Sequence, residues 1–144
     1  MGSTLCYSFR TNKHLDLFRQ NDVDVFVFGS LNSDLARFER KLVSEIPKRI
    51  IGLAHTKKAT QFEAVAINTF GSNKKIARPG QDCYYLDTNN ASGFQISKVP
   101  TTTFCNWTMY KIAEYISKHS NNIKFSFVHF NESDLDSIIK HIKS

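Results

Sequence analysis

The hydrophobic residues in the first half of the chain form two short continuous runs. In the stretch between these runs, hydrophobic residues recur every three to four positions. Residues 23–29 (VDVFVFG) and 49–54 (RIIGLA) are runs of strand length and predict two buried strands. The stretch between them carries apolar residues at helical spacing, namely Leu35, Phe38, Leu42 and Ile46. We predict an amphipathic helix that begins at Asp34, with Ser33 as its N-cap, and ends before Pro47. A strand, a helix and a strand in this order favour a parallel crossover.

The second half of the chain repeats this alternation. Residues 107–119 place apolar and charged side chains on opposite faces of a predicted helix, and residues 123–130 (IKFSFVHF) predict a strand. A last helix is indicated by Ser133 as N-cap with Asp136 three residues later, followed by apolar residues at helical spacing. Alternating strands and helices predict an α/β fold, a three-layer α/β/α sandwich around a mostly parallel, twisted sheet.

Two regions have weaker patterns. The segment Thr4–Phe9 is apolar enough for a further strand, and residues 14–18 are compatible with a short helix or a loop. Residues 71–97 are rich in turn-forming residues and predict a long loop, with one hairpin through Cys83–Tyr85. Long loops inside compact domains are often functional.

Length and composition are those of an ordinary globular protein. A chain of 144 residues with 41% hydrophobic and 22% charged residues predicts a single domain spanning residues 1–144 with a real core. No apolar run reaches 18 residues, which argues against membrane insertion. The first residues lack the apolar centre of a signal peptide, so we expect a cytoplasmic protein.

The net charge of +6 raises the question of a nucleic-acid partner. The 19 basic residues are spread along the chain, and the local clusters at residues 57–58 and 74–78 are more typical of solvated loops. We therefore expect no nucleic-acid partner, although binding through these two clusters stays open as an alternative. The three cysteines, Cys6, Cys83 and Cys105, have neither disulfide nor metal-ligand spacing, so we expect no structural metal site.

Cys105 stands where a threonine-rich segment turns into the predicted helix. The unpaired N–H groups and the positive dipole of a helix start favour a thiolate and can also bind an oxyanion. His129 lies at the C-terminal end of the predicted strand 123–130, where ligands gather in open α/β sheets. Glu63, beside an apolar run, is a candidate to orient an imidazole.

Each of these residues also has an ordinary structural interpretation. An isolated cysteine is more often a small buried hydrophobe, and a histidine in an apolar strand is more often a hydrogen-bonded core residue. An acid in this setting is usually solvated. The local pattern alone leaves these alternatives open.

A resemblance to a known family favours a catalytic role for these three residues over a structural one. The segment CNWTMYKIAEYISKHSNNIKFSFVH resembles the cysteine helix and histidine strand of the pyroglutamyl-peptidase (pyrrolidone-carboxyl peptidase) family, in which the histidine also follows 24 positions after the cysteine. The segment QFEAVAIN resembles the family's Pro-Glu-Arg-x-Ala-x-Asn block, whose glutamate maps onto Glu63. The match covers most of the chain, most clearly residues 50–69 and 98–130.

The resemblance implies a phosphorylase/hydrolase-like α/β fold and a cofactor-free cysteine peptidase that removes an N-terminal pyroglutamyl residue. Cys105 would be the nucleophile, His129 the base and Glu63 the acid that orients it. The implied partner is an N-terminally blocked peptide, and family members often form homo-oligomers.

The sequence departs from the family at the expected substrate pocket. The family's N-terminal aromatic segment is reduced to residues near Phe9, its glutamine on the third strand is replaced by Leu53, and the match of its arginine to Arg78 is loose. Together with Phe104, these are the candidate substrate-binding residues. Two alternatives therefore remain: a divergent member that acts on another small amide, and one that binds without catalysis.

Overall fold

A computed structural model describes residues 3–89, 91, 93–119 and 122–144. The described residues form eight strands, four α-helices and one short 3-10 helix. In chain order these are β1 Thr4–Phe9, α1 Leu15–Gln20, β2 Val25–Phe28, α2 Leu31–Glu45, β3 Arg49–His55, β4 Gln61–Glu63, β5 Val65–Ile67, β6 Cys83–Tyr85, β7 Gln95–Ser97, α3 Phe104–Lys118, β8 Lys124–Phe130, the 3-10 helix Glu132–Asp134 and α4 Leu135–Lys143.

Six of these strands form the main sheet in the order β2-β1-β3-β8-β4-β7. The pairs β1–β2, β1–β3, β3–β8 and β4–β7 are parallel, whereas β4 runs antiparallel to β8. Strands β5 and β6 form a separate antiparallel pair. The predicted α/β fold with a mostly parallel sheet is confirmed.

Two hydrophobic clusters cover the two faces of the sheet. Helices α2 and α3 pack on one face through Phe38, Met109 and Ile112, and helices α1 and α4 pack on the other through Phe18 and Ile138. Side chains of a strand point to alternate faces, so neighbouring residues of β3 contribute to different clusters. Helices on both faces make the predicted three-layer arrangement.

A close contact between β1 and β3 requires the glycine at position 52. The Tyr7 side chain is fully buried, and a Cβ atom added to Gly52 would lie 2.6 Å from Tyr7 Cζ and 2.4 Å from Phe127 Cδ2. Any larger residue would push the Tyr7 ring out of its site. Gly52 therefore leaves room for the buried Tyr7 ring, whose hydroxyl lies 3.0 Å from the Thr108 hydroxyl of helix α3.

Helix α2 begins three residues before the predicted start. Its N-cap is Ser30, and the Asp34 carboxylate accepts hydrogen bonds from the backbone N–H groups of Gly29 and Ser30 at 2.7 and 2.8 Å. These bonds hold the pKa of Asp34 below its usual value. The prediction of Ser33 as N-cap was wrong, because the acid that satisfies the helix start lies inside the first turn.

The start of α4 was also assigned incorrectly. The side chain of Asn131 accepts a hydrogen bond from the Ser133 backbone N–H at 3.0 Å and begins a 3-10 turn, which continues into α4. Ser133 is thus the residue that is capped and does not act as the cap. Helix α3, by contrast, extends the prediction by three residues and begins at Phe104.

The predicted long loop contains two short strands. The strand through Cys83–Tyr85 is present, but its partner is β5, which precedes the loop in the chain. Strand β7 pairs with β4 at the edge of the main sheet. Asn68 organises the intervening segment, because its Oδ1 atom accepts the N–H groups of Ile76 and Ala77 at 2.7 and 2.8 Å.

Candidate active site

The antiparallel pair β4–β8 brings a histidine and a glutamate together. Gln61 of β4 lies opposite His129 of β8 in the register, and Glu63 is the last residue of β4. The Nδ1 atom of His129 lies 2.9 Å from Oε2 of Glu63, within hydrogen-bond distance. The Glu63 side chain is 1% exposed and that of His129 is 16% exposed. The pair is thus largely shielded from water, with the imidazole as its accessible member.

The environment of Glu63 sets the tautomer of the histidine. A carboxylate is an acceptor, so Nδ1 must carry the hydrogen of this bond, which leaves Nε2 free to accept a proton. The side-chain amide of Gln61 donates a second hydrogen bond, from its Nε2 atom to Oε2 of Glu63, at 3.2 Å. Two donors hold the carboxylate in place, and the carboxylate in turn holds the imidazole ring.

Cys105 is the second residue of helix α3, after the N-cap Thr103. It is 4% exposed, and burial raises the pKa of its thiol to about 12, with the Glu63 charge acting in the same direction. The Thr103 side chain and the backbone N–H of Cys105 lower the pKa by a smaller amount. The backbone donor at the helix start thus acts in the predicted direction, but desolvation outweighs it.

A cavity of about 350 Å³ joins these groups. Cys105 and His129 both line it, together with Phe9, Phe104 and Ala54. Ala54 is paired with His129 in the register of β3 and β8, which places both at the C-terminal edge of the parallel strands. The cysteine, the histidine and an aromatic wall thus surround one space large enough for a small ring or an amide.

The structure brings two of the four expected substrate-binding residues to this cavity. The rings of Phe9 and Phe104 lie edge to face, with centroids 4.7 Å apart and planes at 70°, and both line the cavity. Leu53 does not, because its side chain belongs to the cluster on the opposite face of the sheet. Arg78 is exposed in the segment between β5 and β6 and also lies away from the cavity lining. The structure therefore does not bring Leu53 and Arg78 to this cavity.

The whole structure is similar to solved peptidases. It aligns with pyroglutamyl peptidase I from Bacillus amyloliquefaciens at a TM-score of 0.77 and 17% sequence identity, covering 99% of this chain and 94% of that one. The pyrrolidone carboxyl peptidase from Thermococcus litoralis gives a TM-score of 0.72 and 20% identity, covering 91% and 77%. A mutant pyrrolidone carboxyl peptidase from Pyrococcus furiosus gives 0.69 and 18%, covering 96% and 86%. The chain has the pyroglutamyl-peptidase fold.

The resemblance noted in the sequence is thus confirmed at the level of the fold. No protein-family model matches the chain, and a search of curated proteins gives no significant match. Identities of 17–20% establish a shared fold and leave the chemistry to be argued from the site itself.

Within the pyroglutamyl-peptidase fold, Asn106 fixes the start of helix α3. Its Oδ1 atom accepts the Ile67 N–H at 2.9 Å, and its Nδ2 atom donates to the carbonyls of Ile67 and Thr69 at 2.9 and 3.0 Å. The fully buried amide ties the residue next to Cys105 to the end of β5. A polar residue directly after the cysteine was the sequence signal for this role, which the sequence analysis did not assign.

Thr108 and Tyr7 form a second contact that holds the start of helix α3. The Thr108 hydroxyl donates to the Cys105 carbonyl at 2.8 Å and lies 3.0 Å from the Tyr7 hydroxyl. A hydroxyl has one proton to donate, so Tyr7 is the donor to Thr108. Burial raises the pKa of Tyr7 well above its ordinary value, which keeps that proton in place.

Asn12 and His55 also line the cavity and were missed from the sequence. The Asn12 Nδ2 atom donates to the Ser8 hydroxyl at 3.0 Å, and its Oδ1 atom accepts the His14 N–H at 2.9 Å. Asn12 thus shapes the turn between β1 and α1 at the edge of the cavity. Such turn residues carry no periodic signal, so sequence patterns alone do not identify them.

Neither membrane nor metal features emerge from the described residues. Among them, no helix has both the length and the apolar character needed to cross a bilayer. In that same part of the chain, no group of three or more histidine, cysteine or acidic side chains is arranged to hold a metal ion.

Proposed function

We propose that the protein is a cysteine peptidase that removes an N-terminal pyroglutamyl residue from peptides. Cys105 is the nucleophile, His129 the general base and acid, and Glu63 the residue that orients the imidazole. The observation that carries the proposal is the 2.9 Å contact between His129 and Glu63 beside a cavity that His129 shares with Cys105. An oriented histidine and a thiol in one cavity are the minimum set for acyl transfer.

The raised pKa of Cys105 determines how the nucleophile is activated. Because burial favours the neutral thiol, the sulfur is protonated at rest and must lose its proton as it attacks. The free Nε2 atom of His129 accepts this proton, and the Glu63 carboxylate stabilises the imidazolium that forms.

The helix start supplies donors for the oxyanion. The first N–H groups of a helix have no intrahelical partner, and Trp107 is the residue whose N–H makes the first such bond, to the Thr103 carbonyl at 3.1 Å. The preceding amides, including that of Cys105, are therefore available to the carbonyl oxygen as it becomes negative. Each such donor typically contributes about 3–4 kcal/mol to transition-state stabilisation.

The proposed reaction proceeds in two halves. In the first, the sulfur attacks the pyroglutamyl carbonyl, and His129 passes the thiol proton to the leaving amine as the C–N bond breaks. In the second, His129 takes a proton from water, the resulting hydroxide attacks the thioester, and the proton returns to the sulfur as the C–S bond breaks. The products are pyroglutamate and the shortened peptide.

The aromatic wall supports a small cyclic acyl group. The flat lactam ring of pyroglutamate has two faces without charge, which suit the edge-to-face rings of Phe9 and Phe104. Its N–H and C=O need partners, because each unpaired buried polar group costs about 1–3 kcal/mol. Asn12 lines the same cavity and carries a side-chain amide. This amide is a candidate partner for the lactam, in place of the family's glutamine amide that is missing at Leu53.

Release of aminocoumarin from a pyroglutamyl-aminocoumarin substrate tests the proposal. We expect turnover by the wild-type protein and loss of at least about 10³-fold in Cys105→Ala and His129→Ala. Cys83→Ala is the matched control, since Cys83 is a partly exposed cysteine of strand β6, outside the cavity lining. Equal turnover by the wild-type and Cys105→Ala proteins would remove Cys105 from the mechanism.

The burial of Cys105 also favours a second candidate, a divergent protein that binds small amides without cleaving them. In that case His129 has no influence on the sulfur. Alkylation of Cys105 by iodoacetamide at neutral pH, located by peptide mass analysis, separates the two. A rate that falls in His129→Ala supports the peptidase, whereas an unchanged rate supports the binding protein.

A further inference from the structure

A second cavity of about 360 Å³ adjoins the proposed active site. Its lining consists of Lys13, His14, His55, Thr56, Lys57, Asn131 and Glu132. His55 is the last residue of β3 and belongs to the lining of both cavities, so the two cavities meet at this end of the sheet. A ligand long enough to cross the end of β3 can occupy both.

The second cavity carries a positive charge. Two lysines line it, against the single carboxylate of Glu132, whose Oε2 atom lies 3.6 Å from His14 Nε2. Within the described part of the chain, neither Lys13 nor Lys57 forms an ion pair. The two ammonium groups are thus available to an anion from outside the protein.

Hydrogen bonds hold the wall of the cavity in place before any ligand arrives. Asn131 donates from Nδ2 to the carbonyls of Lys57 and Lys58 at 3.2 and 3.0 Å, which fixes the turn after β3. The Thr56 hydroxyl accepts the Lys58 N–H at 3.1 Å, so its own hydrogen can be donated to a ligand. The rings of His14 and His55 are 5.0 Å apart and pack on each other.

The position of this cavity matches that of a leaving group. In the proposed reaction the acyl group occupies the aromatic cavity, and the amine must leave next to His129, which protonates it. Ala54 is paired with His129, and His55 is the next residue toward the C-terminal edge of β3. In the proposed reaction the chain beyond the scissile bond would leave His129 and cross the C-terminal end of β3, where both cavities share His55, toward the two lysines.

We infer that the second cavity binds a carboxylate on the first residue after the scissile bond, which makes the protein selective for pyroglutamyl peptides with an acidic leaving residue. The inference rests on the proposed function for the identity of the acyl group. Two sources supply the same chemistry: the side chain of an acidic residue, and the C-terminal carboxylate of a dipeptide. Charged partners of this kind favour both encounter and retention of the ligand.

Three peptides of nearly equal size separate these sources. Pyroglutamyl-glutamate α-amide carries the side-chain carboxylate, pyroglutamyl-glutamine with a free C-terminus carries the terminal one, and pyroglutamyl-glutamine α-amide carries neither. At low ionic strength we expect kcat/KM to be about tenfold higher for at least one acidic peptide than for the neutral amide. The preference should fall as salt is added.

Variants assign the preference to this cavity. The double variant Lys13→Gln/Lys57→Gln should reduce it to less than about twofold, because both free ammonium groups are lost. Lys58→Gln is the matched control: Lys58 is exposed, follows Lys57 directly and lies outside the cavity lining. A preference that survives in the double variant overturns the assignment to this cavity.

A binding measurement distinguishes this inference from the proposed function. Calorimetric dissociation constants of the three peptides for Cys105→Ala should show the same ranking without turnover. If the aminocoumarin substrate is cleaved but all three peptides bind and react equally, the carboxylate site is overturned and the peptidase stands. If no substrate is cleaved but the acidic peptides bind more tightly, the peptidase is overturned and the carboxylate site stands.

Discussion

The Nδ1 atom of His129 lies 2.9 Å from Oε2 of Glu63, although the two residues are 66 positions apart in the chain. The contact exists because β4 reverses direction and pairs antiparallel with the C-terminal part of β8. It gives the imidazole a fixed tautomer beside the cavity that contains the Cys105 thiol. The arrangement predicts that the charge of Glu63, and its ability to accept a hydrogen bond, matter for turnover.

Glu63→Gln should lower kcat for pyroglutamyl-aminocoumarin by about 10³-fold, with a smaller change in KM. The glutamine amide is able to donate to Nδ1 and thereby select the wrong tautomer, and it lacks the charge that stabilises the imidazolium. Glu45→Gln is the control for the loss of one negative charge, since Glu45 is exposed at the end of α2 and outside both cavities. A wild-type kcat for Glu63→Gln would show that the carboxylate has no part in the reaction.

The two buried thiols predict a loss of stability at alkaline pH. Burial raises the pKa values of Cys6 and Cys105 from 9.0 to about 12, so the unfolded chain releases these protons at lower pH than the folded protein. The stabilisation from keeping both thiols protonated is therefore complete below about pH 9 and is lost as the pH rises toward 12. Each thiol should contribute a slope of about 1 kcal/mol per pH unit above pH 9.5.

Urea unfolding at several pH values between 8 and 10.5, under reducing conditions, measures this slope. Cys105→Ala should show a slope about 1 kcal/mol per pH unit shallower than that of the wild type, even though its absolute stability differs. Tyrosine and lysine titrations are common to both proteins and cancel in the comparison. Identical slopes would mean that the thiol is not shielded from water in the folded state.

The end of helix α2 contains a residue in an unfavourable conformation. Ile46 has φ 45° and ψ 65°, the left-handed region, and it is 68% exposed. This conformation costs about 1–2 kcal/mol for a residue with a Cβ atom but little for glycine. We therefore expect Ile46→Gly to raise the free energy of unfolding by about 1 kcal/mol, after the greater chain entropy of glycine in the unfolded state is allowed for.

Val43→Gly is the matched control for this change. Val43 is equally exposed, at 67%, but lies inside the same helix, where glycine is unfavourable. The substitution should lower the free energy of unfolding by about 0.3–0.5 kcal/mol, the difference between the helix propensities of valine and glycine. Opposite signs for the two variants in one urea titration support the backbone explanation, and a loss of stability in both would refute it.

Local patterns predicted the strands well because burial on both faces produces continuous apolar runs. Strand β1 was predicted to the residue, and β3 and β8 to within one residue at each end. The N-caps Ser30 and Asn131 were missed, because a capping residue lies before the helix and takes no part in its hydrophobic periodicity. Strand alternation along β3, with Gly52 and Ala54 on one face, would have placed Leu53 on the other.

The candidate site residues were predicted through the resemblance to a family. The strand pairing and the burial that set their geometry and pKa values could not be predicted from the sequence. Strand β4 has three residues, so no pattern in that segment reveals its pairing with β8. The net direction of the Cys105 pKa was not readable either, since desolvation dominates it and depends on packing in a cluster that includes Phe9 from a distant part of the chain. Contacts of high sequence separation decide both features.

The last prediction concerns Asn106, whose amide makes three hydrogen bonds to the backbone of Ile67 and Thr69. Asn106→Ala removes all three and leaves one N–H and two carbonyl groups without their partner in a buried place, which should cost about 3 kcal/mol of folding free energy. It should also lower kcat/KM about tenfold or more, because the start of α3 is then free to move relative to His129.

Asn32→Ala is the control for this effect. Asn32 is an exposed asparagine in the first turn of α2, as Asn106 is a buried one in the first turn of α3. We expect it to change the free energy of unfolding by less than about 0.5 kcal/mol and to leave kcat/KM unchanged. If Asn106→Ala lowers stability but keeps the full kcat/KM, the amide holds the fold together without positioning Cys105. The helix start would then be held for catalysis by the Tyr7–Thr108 contact alone, a result that Tyr7→Phe would reveal as a loss of kcat at unchanged KM.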